Sequence, residues 1–118
     1  WLQWHSHDFD INIQDLTDSW GGLLVTGPRA RDILELCTSE DLSNQAFPWL
    51  TCKMIQLESA EVLALRVSYA GELGWELHMP NWQVISIYET LQFHGRSFGL
   101  RDFGGGSLLP GTTNICRR

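Results

Sequence analysis

Tyr69 and Glu76 are the two residues whose types and spacing best suit the binding of a ligand. Glu76 lies between Trp75 and Leu77 in a stretch that otherwise has the character of a core strand. A carboxylate there needs hydrogen-bond donors, because burying an unpaired charge is strongly destabilising. The glycines between Tyr69 and Glu76 favour a turn that would bring the two side chains close together. An aromatic ring beside a carboxylate suits a flat heterocycle that bears an amino group and a ring N–H, since one carboxylate can accept both hydrogen bonds.

The same pattern also has a structural interpretation. Glu76 and Arg66 carry opposite charges on the two arms of the expected hairpin, so they could form a cross-strand pair. Tyr69 would then be a packing residue. Periodicity alone favours this structural interpretation.

The segment His5-Ser6-His7-Asp8 contains two side-chain types that bind metals. On a strand, His5 and His7 would share a face, but no third ligand is placed by spacing to complete a site. We therefore predict no metal site, and we interpret these residues as solvated polar groups.

Three cysteines occur without a C-x-x-C spacing, namely Cys37, Cys52 and Cys116. This odd set suggests neither a disulfide framework nor a zinc site. No serine or cysteine lies in a signature typical of nucleophilic catalysis, so the sequence predicts no catalytic residue.

Length and composition indicate a single globular domain. The chain has 118 residues, of which 43% are hydrophobic and 19% are charged. Its formal net charge of −6 argues against partners such as nucleic acid or an anionic membrane surface. No apolar run approaches the roughly 18 residues needed to cross a bilayer.

Hydrophobic periodicity predicts the elements that position Glu76. Strands are expected at 10–14, 23–25, 51–57, 62–69 and 75–79. A helix with the apolar stripe Ala30, Ile33, Leu34 and Cys37 should follow the second strand. A second helix, capped by Asn81 and ended by Gly95, should bury Val84, Ile85, Tyr88 and Leu91. This order predicts an α+β fold, with an antiparallel sheet and helices on one side.

The chain should divide into a domain at 1–103 and a disordered or divergent tail at 104–118. The tail begins with three glycines and a serine and has no apolar periodicity. Because the first residue is Trp1, the sequence is expected to be a processed chain or a piece of a longer one.

Several motifs in order resemble the folate-binding aminomethyltransferase domain. They are "RVSYAGELGWELHMP" at 66–80 and "LLVTGPRARDILELCTSEDLSNQAFPW" at 23–49. This domain occurs in the glycine-cleavage T-protein and in the C-terminal half of mitochondrial sarcosine and dimethylglycine dehydrogenases. In that family, the tyrosine and second glutamate of Y-x-G-E-x-G-x-E contact the pterin ring of tetrahydrofolate. The resemblance therefore implies folate binding by Tyr69 and Glu76, with a supporting role in the turn for Glu72.

The resemblance also implies what a parent enzyme would do. FAD in an N-terminal domain would oxidise an N-methyl amine, and the one-carbon unit would then pass to tetrahydrofolate. The expected partners are folate and the remainder of the parent polypeptide, including its flavin domain, in the mitochondrial matrix of a eukaryote or otherwise in the cytoplasm. The residues here would supply part of the folate pocket, and alone they should be inactive.

Two other classes remain open. One is a non-enzymatic regulatory homologue that resembles the regulatory subunit of pyruvate dehydrogenase phosphatase, and the other is an inert truncated product. A regulatory chain has no need of the pterin carboxylate, so the intact Glu76 favours the enzyme lineage.

Overall fold

A computed structural model describes residues 1–68 and 71–103, together with the backbone of 114–117. Within these residues, one sheet is formed by six strands: β1 (Trp20–Thr26), β2 (Cys52–Leu57), β3 (Ala60–Leu65), β4 (Gly74–Pro80), β5 (Arg101–Asp102) and β6 (Asn114–Arg117). The described α-helices are α1 (Leu2–His5), α2 (Ala30–Glu35) and α3 (Asn81–Gly95), and a 3-10 turn at Arg96–Phe98 follows α3. The strand order is β2-β3-β4-β1-β6-β5, antiparallel except for the β5–β6 pair. The predicted α+β class is confirmed.

Helices α2 and α3 cover one face of the sheet. They contact each other and strand β4, and α3 also packs on β1. A Cβ on Gly21 would lie 2.7 Å from the Val84 side chain of α3. Helix α3 therefore covers the face of the sheet to which Gly21 of β1 is directed. Alternate strand residues on this face form the core: Leu23, Val25, Ile55, Leu57, Val62, Ala64, Trp75, Leu77 and Met79. Burying this apolar surface is the main source of stability for the fold.

The opposite side is called the second face here. It is defined by the other alternate residues of the three central strands: Gly22, Leu24, Leu63, Leu65, Glu76 and His78. Their side chains are separated from the core by the sheet itself, because successive residues of a strand point to opposite sides.

The stripe predicted for α2 is confirmed, since all four of its residues are buried. The stripe predicted for α3 is partly wrong. Ile87 and Leu91 are buried, whereas Ile85 is 64% exposed. Val84 and Tyr88 pack against the core, and Ile85 lies about 100° round the helix from Val84, outside the covered arc.

Two further expectations are wrong. Residues 10–14 form no strand. Asn81 is the first residue of α3 and not its cap, since the N-cap is Pro80, and the Asn81 side-chain amide donates a hydrogen bond to the Asp18 carbonyl. Residues 114–117 form a strand that pairs with β1 and β5. The division of the chain at 103 stays a prediction.

None of the helices in the described parts of the chain has the length and apolar content needed to cross a bilayer.

Candidate functional site

Glu76 lies in the middle of the sheet, on the second face. Its strand, β4, pairs with β1 on one side and β3 on the other. The residues directly across from Glu76 are Leu24 and Leu65, so two apolar side chains flank the carboxylate. The Glu76 side chain is 23% exposed. The predicted alternation, with Trp75 and Leu77 in the core and Glu76 on the opposite side, is confirmed.

His78 is a polar neighbour of Glu76 on the same face of β4. Its Nε2 lies 3.2 Å from Glu76 Oε2. Because an ionised carboxylate can only accept hydrogen bonds, Nε2 must carry the proton in this contact. The sequence analysis missed His78, although two residues separated by one position on a strand share a face, and this spacing could have identified it.

The imidazole of His78 lies beside Gly22 on β1. The two residues are paired across the strands. A Cβ on Gly22 would lie 3.4 Å from His78 Nδ1 and 3.6 Å from Cε1, so the ring lies against the backbone of β1. A branched side chain at this position would occupy the space of the ring.

Tyr69, the second predicted pterin contact, lies outside the described residues, so its proximity to Glu76 stays a prediction. The described part of the connection agrees with the expected turn, since Gly71 has a positive φ of 79°. Glycine adopts this conformation without the steric penalty that other residues carry. Glu72, expected to support the turn, is exposed.

Arg66 does not pair with Glu76, so the predicted cross-strand ion pair is wrong, whereas the packing role of Tyr69 lies outside the described residues. Arg66 donates hydrogen bonds to the carbonyl of Phe47 and to Asn44 Oδ1. Its guanidinium carbon lies 5.6 Å from the centre of the Trp75 ring, on the core side of the sheet. Arg66 is 8% exposed, and burial lowers its pKa, with a further contribution from the charge of Arg31.

Arg31, Asn44 and Arg66 form a cluster that we call the arginine clamp. Asn44 Oδ1 accepts a hydrogen bond of 2.7 Å from each arginine. Arg31 also donates to the Leu42 carbonyl, so the clamp holds the connection between α2 and β2 against the sheet. The clamp lies on the Trp75 side and leaves Glu76 to the second face.

The histidines near the N-terminus, considered above as metal ligands, lie beside aromatic rings. His5 ends α1 and its ring packs against Trp1, with 4.2 Å between ring centres, and the His7 ring lies 6.3 Å from that of Trp4. Across residues 1–68 and 71–103, no three metal-ligating side chains come together.

Two cysteines differ sharply in environment. Cys37 is buried, and burial with the nearby charge of Glu58 raises its pKa to about 12. Cys52 is exposed. A thiol with so high a pKa is a poor nucleophile at neutral pH, because the thiolate is the reactive form.

Comparison with known proteins identifies the family. The sequence profile of the GCVT N-terminal domain matches residues 1–109. The chain is 44% identical over 96 residues to mitochondrial dimethylglycine dehydrogenase of Mus musculus, which covers 81% of the chain and 11% of that enzyme. It is 37% identical over 97 residues to mitochondrial sarcosine dehydrogenase of Mus musculus, covering 82% of the chain and 11% of the enzyme. An aminomethyltransferase of Caldanaerobacter subterraneus subsp. tengcongensis is 31% identical over 107 residues, covering 91% of the chain and 28% of that protein.

The match to the two dehydrogenases is therefore to one part of much longer proteins, since the aligned residues span 11% of each. The resemblance inferred from the motifs is confirmed. The chain belongs to the GCVT N-terminal domain family, as an aminomethyltransferase-like domain related to dimethylglycine and sarcosine dehydrogenases.

Proposed function

We propose that this domain forms part of the tetrahydrofolate pocket of an enzyme that oxidises an N-methyl amine. Its relatives include enzymes named for dimethylglycine and sarcosine, which are both N-methylated amino acids. In this proposal Glu76 binds the pterin, Tyr69 contacts the same ring, and neither performs the oxidation. Bound tetrahydrofolate would supply the acceptor for the one-carbon unit.

The observation that carries the proposal is the position of the Glu76 carboxylate. It is mostly buried on the second face, between Leu24 and Leu65. A pterin presents an amino group beside a ring N–H, and a carboxylate can accept hydrogen bonds from both. Leu65 is partly exposed and offers apolar contact for a flat ring, which matches the usual lining of a small-molecule site.

The residues of the chain would therefore bind and orient the pterin. A hydrogen bond to a charged acceptor is stronger in a site that excludes water, so the flanking leucines also strengthen the contact to Glu76. Oxidation of the amine would fall to an FAD-containing domain elsewhere in the parent polypeptide. The mitochondrial names of the dehydrogenase relatives support a location in the matrix if the source is eukaryotic.

The test uses the longest natural reading frame that contains this sequence. Glu76→Gln keeps the shape of the side chain but removes its charge and one of its two acceptor oxygens. Losing a hydrogen bond to a charged group costs about 1.5 to 3 kcal/mol, so tetrahydrofolate affinity measured by calorimetric titration should fall roughly ten- to more than a hundredfold. Amine oxidation with an artificial electron acceptor should be unchanged.

Glu61→Gln is the matched control. Glu61 is an exposed glutamate of β3 on the same side of the sheet as Leu63 and Leu65, and its substitution should leave the affinity at the wild-type value. Melting curves without ligand check that each variant folds. Equal affinity of the wild type and Glu76→Gln would refute the proposal. A wild-type protein that binds no tetrahydrofolate would instead favour the regulatory homologue.

A further inference from the structure

We propose that the outer side of α3 is an interface between two copies of this chain, whose α3 helices pair in antiparallel directions about a two-fold axis. This side of the helix faces away from the sheet, whereas the proposed folate pocket lies on the second face. The inference therefore does not depend on the proposed function.

The outer side of α3 carries large apolar side chains that the described residues leave uncovered. Trp82 is 79% exposed, Ile85 is 64% exposed and Phe93 is 70% exposed. The inner side of the helix packs on the sheet and buries Ile87 and Leu91. A helix that is apolar on two sides normally packs against a partner on each of them, and a contiguous exposed apolar patch marks an interaction site.

Four exposed residues form a narrow stripe along this side, which we call the outer stripe: Trp82, Ser86, Glu89 and Phe93. At about 100° per residue they lie within an arc of about 60°, on the side opposite the residues that pack on the sheet. Successive members are separated by four, three and four positions, which is the spacing of contact positions in paired helices. This spacing is the same when read in either direction, as an antiparallel pair of identical helices requires.

The symmetric spacing determines which side chains would meet across the two-fold axis. Trp82 of each copy would contact Phe93 of the other, so the axis creates two aromatic pairs. Ser86 of each copy would lie opposite Glu89 of the other, where its hydroxyl can donate a hydrogen bond to the carboxylate. The outer stripe is therefore complementary to itself.

The shape of this side of α3 also favours a second copy as the partner. An open groove is lined by Tyr88, Glu89, Gln92, Phe93 and Arg96. In the antiparallel arrangement, the C-terminal end of this groove lies level with the protruding indole of Trp82 from the other copy. The indole can enter the groove there, beside the guanidinium of Arg96, with which it can form a cation–π contact.

The size of the contact predicts a weak dimer that depends on protein concentration. Aromatic side chains bury about 150 to 250 Å² each, so the four aromatic rings and the two flanking Ile85 side chains would bury roughly 1,000 Å² in total. Specific interfaces usually bury about 1,200 Å² or more, so this contact lies at the weak end of their range.

The experiment is sedimentation velocity on the longest natural reading frame that contains this sequence, from about 1 to 200 μM, a range suited to so small an interface. We expect the wild type to change from monomer to dimer over this range. Trp82→Ala and Phe93→Ala each remove two contacts per dimer, so each should raise the dissociation constant roughly thirtyfold or more. Trp49→Ala is the matched control, because Trp49 is an exposed aromatic residue outside α3, and it should keep the wild-type value.

Substitutions of Ser86 test the symmetry of the pair. Ser86→Lys places a positive charge opposite Glu89 of the other copy and should lower the dissociation constant roughly three- to tenfold, whereas Ser86→Glu should raise it by a similar factor. In a Glu89→Gln background, the difference between the two variants should disappear. Melting curves check that each variant folds.

Two results would overturn the proposal. One is a wild-type protein that stays monomeric at the highest concentration, and slow labelling of a Trp82→Cys variant would then assign the outer side of α3 to the remainder of the parent polypeptide. The other is a dimer that persists unchanged in Trp82→Ala and Phe93→Ala, which would show that the copies associate through a different surface.

Discussion

Asn44 offers a direct test of the arginine clamp. Its Oδ1 accepts hydrogen bonds of 2.7 Å from both Arg31 and Arg66. The bond to Arg66 is partly buried, whereas the bond to Arg31 is exposed to solvent. The amide therefore bridges two like charges, and no carboxylate takes part in these two bonds.

Asn44→Ala should destabilise the chain by about 2 kcal/mol. A hydrogen bond to a charged donor contributes about 1.5 to 3 kcal/mol, and this range applies to the partly buried bond from Arg66. Water can replace the exposed bond from Arg31, so that loss adds little. For a chain of this size, 2 kcal/mol corresponds to a fall of roughly 8 °C in the melting temperature.

Asn44→Asp should act in the opposite direction near neutral pH. The carboxylate has the shape of the amide, accepts the same two hydrogen bonds and adds an attraction to both guanidinium groups. Those positive charges should lower its pKa below the value of about 3.9 found in unfolded chains. The added stability, on the order of 1 kcal/mol, is then complete at a pH above the pKa of this carboxyl in the unfolded chain. It is lost as the pH falls through the lower pKa of the same group in the folded chain.

Urea unfolding followed by tryptophan fluorescence measures both effects, at pH 7 and at pH 3. Gln45→Ala is the matched control, since Gln45 is the exposed neighbour of Asn44. Wild-type stability in Asn44→Ala would show that the clamp contributes nothing. An Asn44→Asp chain that is less stable at pH 7 than at pH 3, relative to wild type, would contradict the electrostatic reasoning.

Local patterns in the sequence predicted the elements that present Glu76. The period of two in β4 separates Trp75 and Leu77 from Glu76, and the sheet realises this separation as two faces. The helical spacing of α2 was equally informative, because only one side of this short helix is apolar. Both patterns depend on residues close together in the chain.

The inner face of α3 could not be chosen from periodicity, because the helix has large apolar residues on both sides. Trp82, Ile85 and Phe93 are exposed, while Ile87 and Leu91 are buried. Tertiary contact with β1 and β4 decides between the two sides, and a one-dimensional pattern does not contain that information.

The partners of Arg66 were unpredictable for a related reason. Charge complementarity pointed to Glu76, but alternation along β3 and the connection after it directs Arg66 towards the core side. There the guanidinium bonds a backbone carbonyl 19 residues away in sequence and an amide 22 residues away. A backbone carbonyl has no signature in the sequence, since every residue carries one. The pairing of β6 with β1 is likewise a contact between distant segments.

Two further predictions use matched pairs of residues. In a Cys116→Ser background, iodoacetamide at pH 8 should label Cys52 more than about a hundredfold faster than Cys37, because burial raises the pKa of Cys37 to about 12. Comparable rates in the folded chain, measured by mass spectrometry, would contradict this burial. The second pair is Gly21 and Gly22, adjacent residues of β1 on opposite faces. Gly21→Ala places a Cβ 2.7 Å from a methyl group of α3, so it should cost about 1 to 3 kcal/mol in urea unfolding. In Gly22→Ala the new Cβ lies 3.4 Å from its nearest atom, which is an ordinary contact. Because alanine lowers the conformational entropy of the unfolded chain, this variant should be at least as stable as the wild type. Equal stability of the two variants would show that α3 does not pack against the Gly21 side of the sheet.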